Sequence, residues 1–437
     1  MTGRIDHTED FGPCLTDTRL GLISRLAERR TLCPISIVRE YASRIRSPLF
    51  PMAQRQENGG RGHLPGEAYQ CAVGEAVERY ALSICDPDTL VKATVGALKT
   101  DAWPVENFTF FLDAQYDEPG FPFQKPTDKD TLQWVEGYDV TTDRPVFIPA
   151  SLVYVPYRRH TDEPALSYQM SPGTGCHTSW AKAATNAILE LIERDAFTIL
   201  WEAGAAFPKA DPSPALRDML AFLPDYIEHG VYDITTDVGV PTALVTLSWR
   251  HMDTVAENAG RSAMNTMGLT YGIACKKTPG DAQASAFREA ITSWISAVVV
   301  AQAERMPKDA LYRHIVEHPD YRWHMLWSAL GYASEDMSFL DQATAQSAAP
   351  PDTMRPLGDL LRRSGMQVVL VDITPPDIAD LGLFVARAVS CSLVRPSLGR
   401  HGRHLGNGRF VSVPRKLSLP HLYQTRESIH EHYRPEP

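Results

Sequence analysis

No apolar run in this sequence approaches the ~18 residues that a membrane-spanning helix needs. Segments such as LVDITPP and AVVVAQAE are short and soon interrupted by polar residues. The amino terminus, MTGRIDHTEDFGP, mixes acids and bases without an apolar core, so it lacks the pattern of a secretory signal. Cytoplasmic residence away from the membrane is the expectation. Cysteine pairs at metal-knuckle or redox spacing are missing too. The seven cysteines (14, 33, 71, 85, 176, 275 and 391) are an odd number, widely spread, which argues against a disulfide framework and for reduced thiols. With a formal charge of −10 and no long basic stretch, the chain does not read as a nucleic-acid binder, because neutralising phosphates takes clustered Lys and Arg. The local exception is RPSLGRHGRHLGNGR (395–409), either an anion contact or a solvated loop. Its His401 and His404 lack acidic or thiol companions nearby and read as loop histidines. GxxxxGK[ST], GxSxG and HExxH are all absent, so Walker-type phosphate binding, the serine-hydrolase elbow and zincin chemistry have no support.

What is present is ordinary globular composition, 43% hydrophobic and 22% charged, enough for a large core. An amphipathic stretch, TRLGLISRLAERR, precedes a mixed run closing on NGGRG, where consecutive glycines predict a turn or loop. Apolar residues at helical spacing predict a helix over EAYQCAVGEAVERYALSI, and another from about Trp180 to Trp201 with Thr178 or Ser179 as its cap. A third, DAQASAFREAITSWISAVVVAQAE, has Asp281 placed to cap it. WVEGYDV, RPVFIPASLVYVPY, PTALVTLSW and GLTYGIACK read as strands, and LGDLLRRSG followed by MQVVLVDIT as a helix, a glycine stop and a strand. The expected fold is α/β or α+β, with the polar end LPHLYQTRESIHEHYRPEP an extended tail.

The most informative feature is an internal echo. AVGEAVERYA (72–81) and AILELIERDA (187–196) share Ala, Glu, Glu, Arg and Ala at the same offsets. Glu75 with Glu78, and Glu190 with Glu193, are three apart, so each pair shares a helix face and repels. Set among apolar residues, such carboxylates need a cation. Ala286 to Ile291 is a weaker third copy, with Glu289 beside Arg288. If the three helices converge, five carboxylates and several arginines suit a nucleotide bound through magnesium, carboxylates on the metal and guanidinium groups on phosphate oxygens. The bland alternative is a surface ExxER pattern in which each arginine pairs its own glutamate.

The order of GGRG, CAVGEAVERY, SPGTGCHTSWAKAATNAILELIERD and SAFREAIT resembles the YcaO family, whose members carry GKG, SxxxExxER, NxxxExxER and ExxQ-type motifs. The similarity spans roughly residues 55 to 400. It implies a YcaO-type fold that binds ATP and Mg2+ on acidic helices without a Walker loop, with 1–58 an N-terminal segment, 59–410 the catalytic domain and 411–437 an extended tail. Carried over by position, Glu75, Glu78, Glu190, Glu193 and Glu289 are the metal carboxylates, and Arg61, Cys71, Arg79, Asn186, Arg194 and Arg288 surround the nucleotide. Three positions depart from the family pattern: Arg61 replaces a lysine, Cys71 a serine and Thr292 a glutamine. The terminal RPEP partly matches the proline-rich ends of azoline-forming members, which makes the Pro437 carboxylate a catalytic candidate; a frayed end is the alternative.

The implied activity is ATP-dependent cyclodehydration of Cys, Ser or Thr in a ribosomal precursor peptide to azolines. Thioamide- or amidine-forming chemistry would share every ATP residue, and a non-catalytic scaffold subunit is the reading from another class. A leader-binding partner protein is expected, as is a homodimer or hetero-complex.

Overall fold

The computed structural model describes residues 15–17, 21–28, 38–45, 58–62, 64–98, 102–250, 267–303, 306–317, 321–343 and 355–435. Three sheets organise them. Strands β1 (Ile23–Glu28), β2 (Arg39–Ile45) and β3 (Asn58–Gly62) form a meander. The largest sheet contains β4 (Val91–Thr94), β5 (Thr131–Asp139), β6 (Arg144–Pro149), β7 (Thr174–His177), β11 (Val368–Asp372) and β12 (Phe384–Ser390). Its order is β4-β5-β11-β12-β7, with β6 also paired to β5. The third sheet, β8 (Ile227–Asp233), β9 (Thr242–Arg250) and β10 (Met267–Cys275), is again a meander. Every ladder between these strands is antiparallel, so of the two expected classes α+β is the one observed.

A long helix follows one strand of each sheet: α1 (Pro65–Ser83) after β3, α2 (Trp180–Ala203) after β7 and α3 (Pro279–Ala303) after β10. Shorter helices α4 (Lys308–Glu317), α5 (Tyr321–Ala329) and α6 (Leu357–Ser364) follow, then α7 (Arg409–Lys416) and α8 (Arg426–Glu431). Helix α2 buries Ala183 and Ala187 near its start and every residue from Asp195 to Ala203 near its end, and stops at Gly204, whose φ of 59° suits a glycine. Its N-cap position is Ser179, though that side chain makes no capping bond. On α3 the expected cap moves: the Thr278 hydroxyl accepts from the Asp281 N–H at 3.1 Å and donates to the Asp281 carboxylate at 2.7 Å, so threonine caps and aspartate supports it. No helix among the described residues is long and apolar enough to cross a membrane.

Glycines at the three strand–helix crossings explain the local sequence. A Cβ on Gly60 would stand 1.9 Å from Ala72 N and 2.4 Å from Ala68 O. On Gly175 it would meet Ala183 O at 2.3 Å, and on Gly272 Ala286 O at 2.0 Å and Ala290 N at 2.4 Å. NGGRG is therefore strand, not the expected loop: its glycine lets the α1 backbone lie directly on β3.

Two more expectations are corrected. The 411–437 segment is not an extended tail, because helix α7 continues into it, α8 lies within it and Ile429 is fully buried. Arg403 holds it down, donating to Ile429 O at 2.8 Å and His432 O at 3.3 Å. The basic 395–409 segment is in large part packed rather than solvated. Arg403 and Arg409 turn inward onto Glu202 and Asp195, and His404 is buried against Phe110 and Phe111. Burial pushes His404 well below the usual histidine range, so it is neutral at pH 7. Pro437 lies outside the described residues.

Candidate active site

The glycine–alanine crossings put α1, α2 and α3 in a common register. Each glycine sits over alanines four apart: Ala68 and Ala72, Ala183 and Ala187, Ala286 and Ala290. Three and six residues past the second alanine come Glu75 and Glu78 on α1, and Glu190 and Glu193 on α2. On α3 those places hold Ser293 and Ser296. Glu289 instead occupies the place just before the second alanine, where α1 has Cys71 and α2 has Asn186. The third copy thus supplies its carboxylate one turn earlier, a shift that the sequence echo alone does not show.

The carboxylates reach across from helix to strand. Glu78 accepts from the Cys176 N–H on β7 at 2.7 Å, and Glu193 from the Cys275 N–H on β10 at 3.0 Å. Glu190 accepts from Gly173 and Thr174 N–H at 2.8 and 3.2 Å, and Glu289 from Ile273 N–H at 3.2 Å. The second oxygens of Glu193 and Glu289 face Arg194 at 3.2 Å and Arg61 at 3.4 Å. Since Arg61 lies on β3, α1, α2 and α3 are each tied to the first, second or third sheet around one cleft. Part of the bland alternative also holds: Arg79 pairs with Glu75 at 2.6 Å, its own i−4 neighbour, and Arg194 with the adjacent Glu193.

Charge in the cleft is mismatched. Burial, then Glu75 and Glu190, push Glu78 well above the carboxylate range despite Arg79. Burial also lifts Glu193 to about 7, with Glu289 and Glu190 adding to it and Arg194 opposing. Burial disfavours the charge on Arg79 and Arg194, but the surrounding carboxylates override it and hold both firmly protonated. Acids crowded beyond the capacity of their arginines are a place for further positive charge. Among the described residues, no three His, Cys, Asp or Glu side chains stand together as a complete metal-binding group. Magnesium commonly takes one or two carboxylates and fills its remaining positions with phosphate oxygens and water.

Of the other expected residues, Cys71 is exposed; partial desolvation of its thiol, with Glu67 and Glu78, pushes it up, and Lys276 and Arg288 pull the other way. Arg288 therefore lies within electrostatic reach of Cys71, while Asn186 packs its Cβ against Gly175. Thr292 is buried and donates to Arg288 O at 2.6 Å within its own helix. Two residues escaped the sequence reading. Lys276, just past β10, acts electrostatically on Cys71, Glu193 and Cys275. Arg387 on β12 donates to the carbonyls of Met170, Ser171, Pro172 and Leu152 at 2.6–3.1 Å, clamping the segment whose N–H groups bind Glu190. Burial and then Arg395 pull Arg387 down to about 9. Neither residue sits in a local motif; a cation after a strand gives no spacing signal.

Comparison with known proteins bears on the family and the fold. The family described as YcaO cyclodehydratase, ATP- and Mg2+-binding, matches residues 59–394. A heterocyclase solved in complex with substrate and cofactor shares the fold at a TM-score of 0.72 and 18% identity, covering 93% of this chain and 54% of its own length. The chain thus spans about half of that protein. YcaO from Methanopyrus kandleri, bound with AMPPCP and Mg2+, gives a TM-score of 0.54 at 16% identity, covering 85% of this chain and 86% of its own. The E. coli microcin synthetase McbBCD complex gives 0.58 at 14%, covering 84% and 87%. At these identities the structural likeness establishes the fold, and the family match covers most of the sequence. ATP and Mg2+ are the ligands of that family, and the acid-rich cleft between three helices fits both. The chain belongs to the YcaO family.

Proposed function

We propose that this chain activates backbone amides of a ribosomally made peptide with Mg·ATP, cyclodehydrating Cys, Ser or Thr residues to azolines. The observation that carries the reading is the convergence of carboxylates from α1, α2 and α3, with Glu78, Glu190, Glu193 and Glu289 each held by backbone N–H groups of the facing strands or the turn before β7. Mg·ATP supplies the phosphoryl group that converts an amide oxygen, a poor leaving group, into phosphate, a good one. Across the reaction the peptide's own thiol or hydroxyl adds to the carbonyl, the carbonyl oxygen departs within inorganic phosphate, and the amide nitrogen ends doubly bonded to carbon. ADP is the other product.

The residues divide this work. Glu75, Glu78, Glu190, Glu193 and Glu289 would hold the magnesium that carries the nucleotide's phosphates. Arg61, Arg79, Arg194 and Arg288 would offset charge on the transferring group, with Cys71 and Asn186 lining the nucleotide; Lys276 is added to these cations because it acts electrostatically on Cys71 and Glu193. The strand N–H bonds to four of the glutamates keep the carboxylates in place without reorganisation. All five acids are present, which favours catalysis over a scaffold role. A separate protein that binds the peptide's leader is proposed, in a hetero-complex or beside a homodimer of this chain.

The test is Mg-dependent ATP hydrolysis by the purified protein, with a candidate precursor and partner, read together with the peptide's mass. A loss of about 18 Da per modified residue, one water, matched by phosphate release supports cyclodehydration. Exchange of sulfur for oxygen moves the assignment to thioamide formation. A folded protein that binds no nucleotide leaves the scaffold role.

A further inference from the structure

Arg387 on β12 is 3% exposed, yet its hydrogen bonds all go to uncharged oxygens. Its Nη1 donates to Ser171 O and Pro172 O at 2.6 Å each and to Thr174 Oγ1 at 3.2 Å. Its Nη2 donates to Met170 O at 2.7 Å and to Leu152 O at 3.1 Å. One guanidinium thus joins the two ends of the excursion that the chain makes between β6 and β7. Arg403 and Arg409, by contrast, are buried with acids of their own, Glu202 and Asp195. A charge set in the interior against neutral carbonyls alone loses hydration that no ion pair restores. Packing by itself is therefore a poor account of Arg387.

What the guanidinium holds is the turn ahead of β7. Gly173 is left-handed there, with φ 96°, and a Cβ on it would lie 2.6 Å from Ala388 O and 2.7 Å from Leu191 Cδ2. Its carbonyl accepts from the N–H of Ala388, the residue after Arg387, at 2.7 Å. So fixed, the turn aims the Gly173 and Thr174 N–H groups at one oxygen of Glu190, Oε2, at 2.8 and 3.2 Å. Two donors on one oxygen restrict the rotation of the carboxylate and with it the direction of its other lone pairs. Glu190 in turn acts electrostatically on Glu78 and Arg79 of α1 and on Glu193 and Arg194 of α2, so its placement bears on both helices.

We infer that Arg387 is a positioning residue of the cleft: it holds the 170–174 turn so that the Gly173 and Thr174 N–H groups keep Glu190 in the orientation that meets magnesium. The inference rests on the function proposed above, which makes Glu190 a metal carboxylate. Magnesium demands near-ideal octahedral geometry, whereas calcium accepts flexible geometry. A loosened Glu190 therefore weakens magnesium binding more than calcium binding.

Arg387→Lys keeps the charge and gives up the planar fork that reaches four carbonyls. In the nucleotide-free variant, the Gly173 and Thr174 amides are expected to exchange hydrogen about tenfold faster or more, while those of Ile199 and Leu200 in α2 keep their rate. Calorimetry with AMPPCP is expected to show Mg2+-supported affinity lowered about tenfold or more, and Ca2+-supported affinity lowered less than about threefold. Thr174→Ala removes one acceptor of the clamp and is expected to repeat both effects in smaller measure, which keeps the test open should the lysine variant fail to fold. Unchanged exchange at the turn would overturn the inference, and so would equal losses with the two ions, the mark of general damage. Either result beside Mg2+-dependent binding to wild type sinks only the role of Arg387. Wild type that binds AMPPCP without regard to Mg2+ sinks the proposed function, and the role of Arg387 with it.

Discussion

Helix α2 carries two kinds of carboxylate within one continuous run of turns. Glu190 and Glu193 face the cleft, where the acids outnumber the arginines set against them and Glu193 is lifted to about 7. Asp195 and Glu202, on the same helix, are buried with dedicated guanidinium partners. Arg409 meets both oxygens of Asp195 at 2.8 and 2.6 Å, and Arg403 meets Glu202 at 2.9 and 2.7 Å. Asp195 also accepts from the Val394 N–H, and Glu202 from Ser397, so each ties the basic segment to the helix. Matched, hydrogen-bonded charge builds the scaffold; mismatched charge at the helix's other face is left for a ligand. The difference lies in partners, since all four residues are carboxylates on one helix.

Breaking the matched side gives the largest effect. Asp195→Ala leaves Arg409 short of one of its buried partners, and denaturant unfolding is expected to show a loss of about 3–5 kcal/mol. The mismatched side should respond in activity rather than stability. Glu75→Ala and Glu193→Ala are each expected to lower Mg-dependent ATP turnover by about 10²–10³-fold with an unchanged circular dichroism spectrum; full activity in either would remove the assigned metal site. Between these lies the shared scaffold of both. Gly272→Ala forces a Cβ against Ala286 O and Ala290 N, and an overpacking cost of about 1–3 kcal/mol should appear in the unfolding midpoint.

The comparison also has a pH signature. The folded-state pKa of Glu193 is raised, so between the ordinary glutamate value of 4.5 and about 7 the folded state binds more protons than the unfolded one. Stability of the nucleotide-free protein should therefore fall as pH rises through that window and level off above it. Glu193→Gln is expected to flatten this part of the profile; an unaltered slope in thermal unfolding from pH 5 to 8 would contradict it. Mg·nucleotide, which favours the ionised carboxylate, should bind more tightly above pH 7 than below. The smallest effect belongs to Cys71→Ser. The exposed thiol makes way for a better hydrogen-bonding hydroxyl, and nucleotide affinity should move by less than about 1 kcal/mol, in either direction.

The long helices and their acid pairs were legible because helical periodicity and an exact i, i+3 repeat are local properties. Register in the third copy was not, since Ser293 and Ser296 stand where an echo would look for glutamates. NGGRG was misread because glycine usually punctuates; here Gly60 serves contact between backbones that only the tertiary arrangement brings together. The polar end of the chain gave no local sign of packing, as its anchor, Arg403, lies more than twenty residues earlier and binds carbonyl groups. Arg387 and Lys276 were missed for a related reason: their roles depend on segments distant in sequence.

The central claim, that carboxylates from three helices hold a metal-bound nucleotide, is tested most directly by calorimetric titration of AMPPCP into wild type and Glu75→Ala, with and without Mg2+. The account predicts binding to wild type that requires Mg2+ and is lost in Glu75→Ala at an unchanged unfolding midpoint. Binding that ignores Mg2+, or that survives intact in the variant, would contradict it.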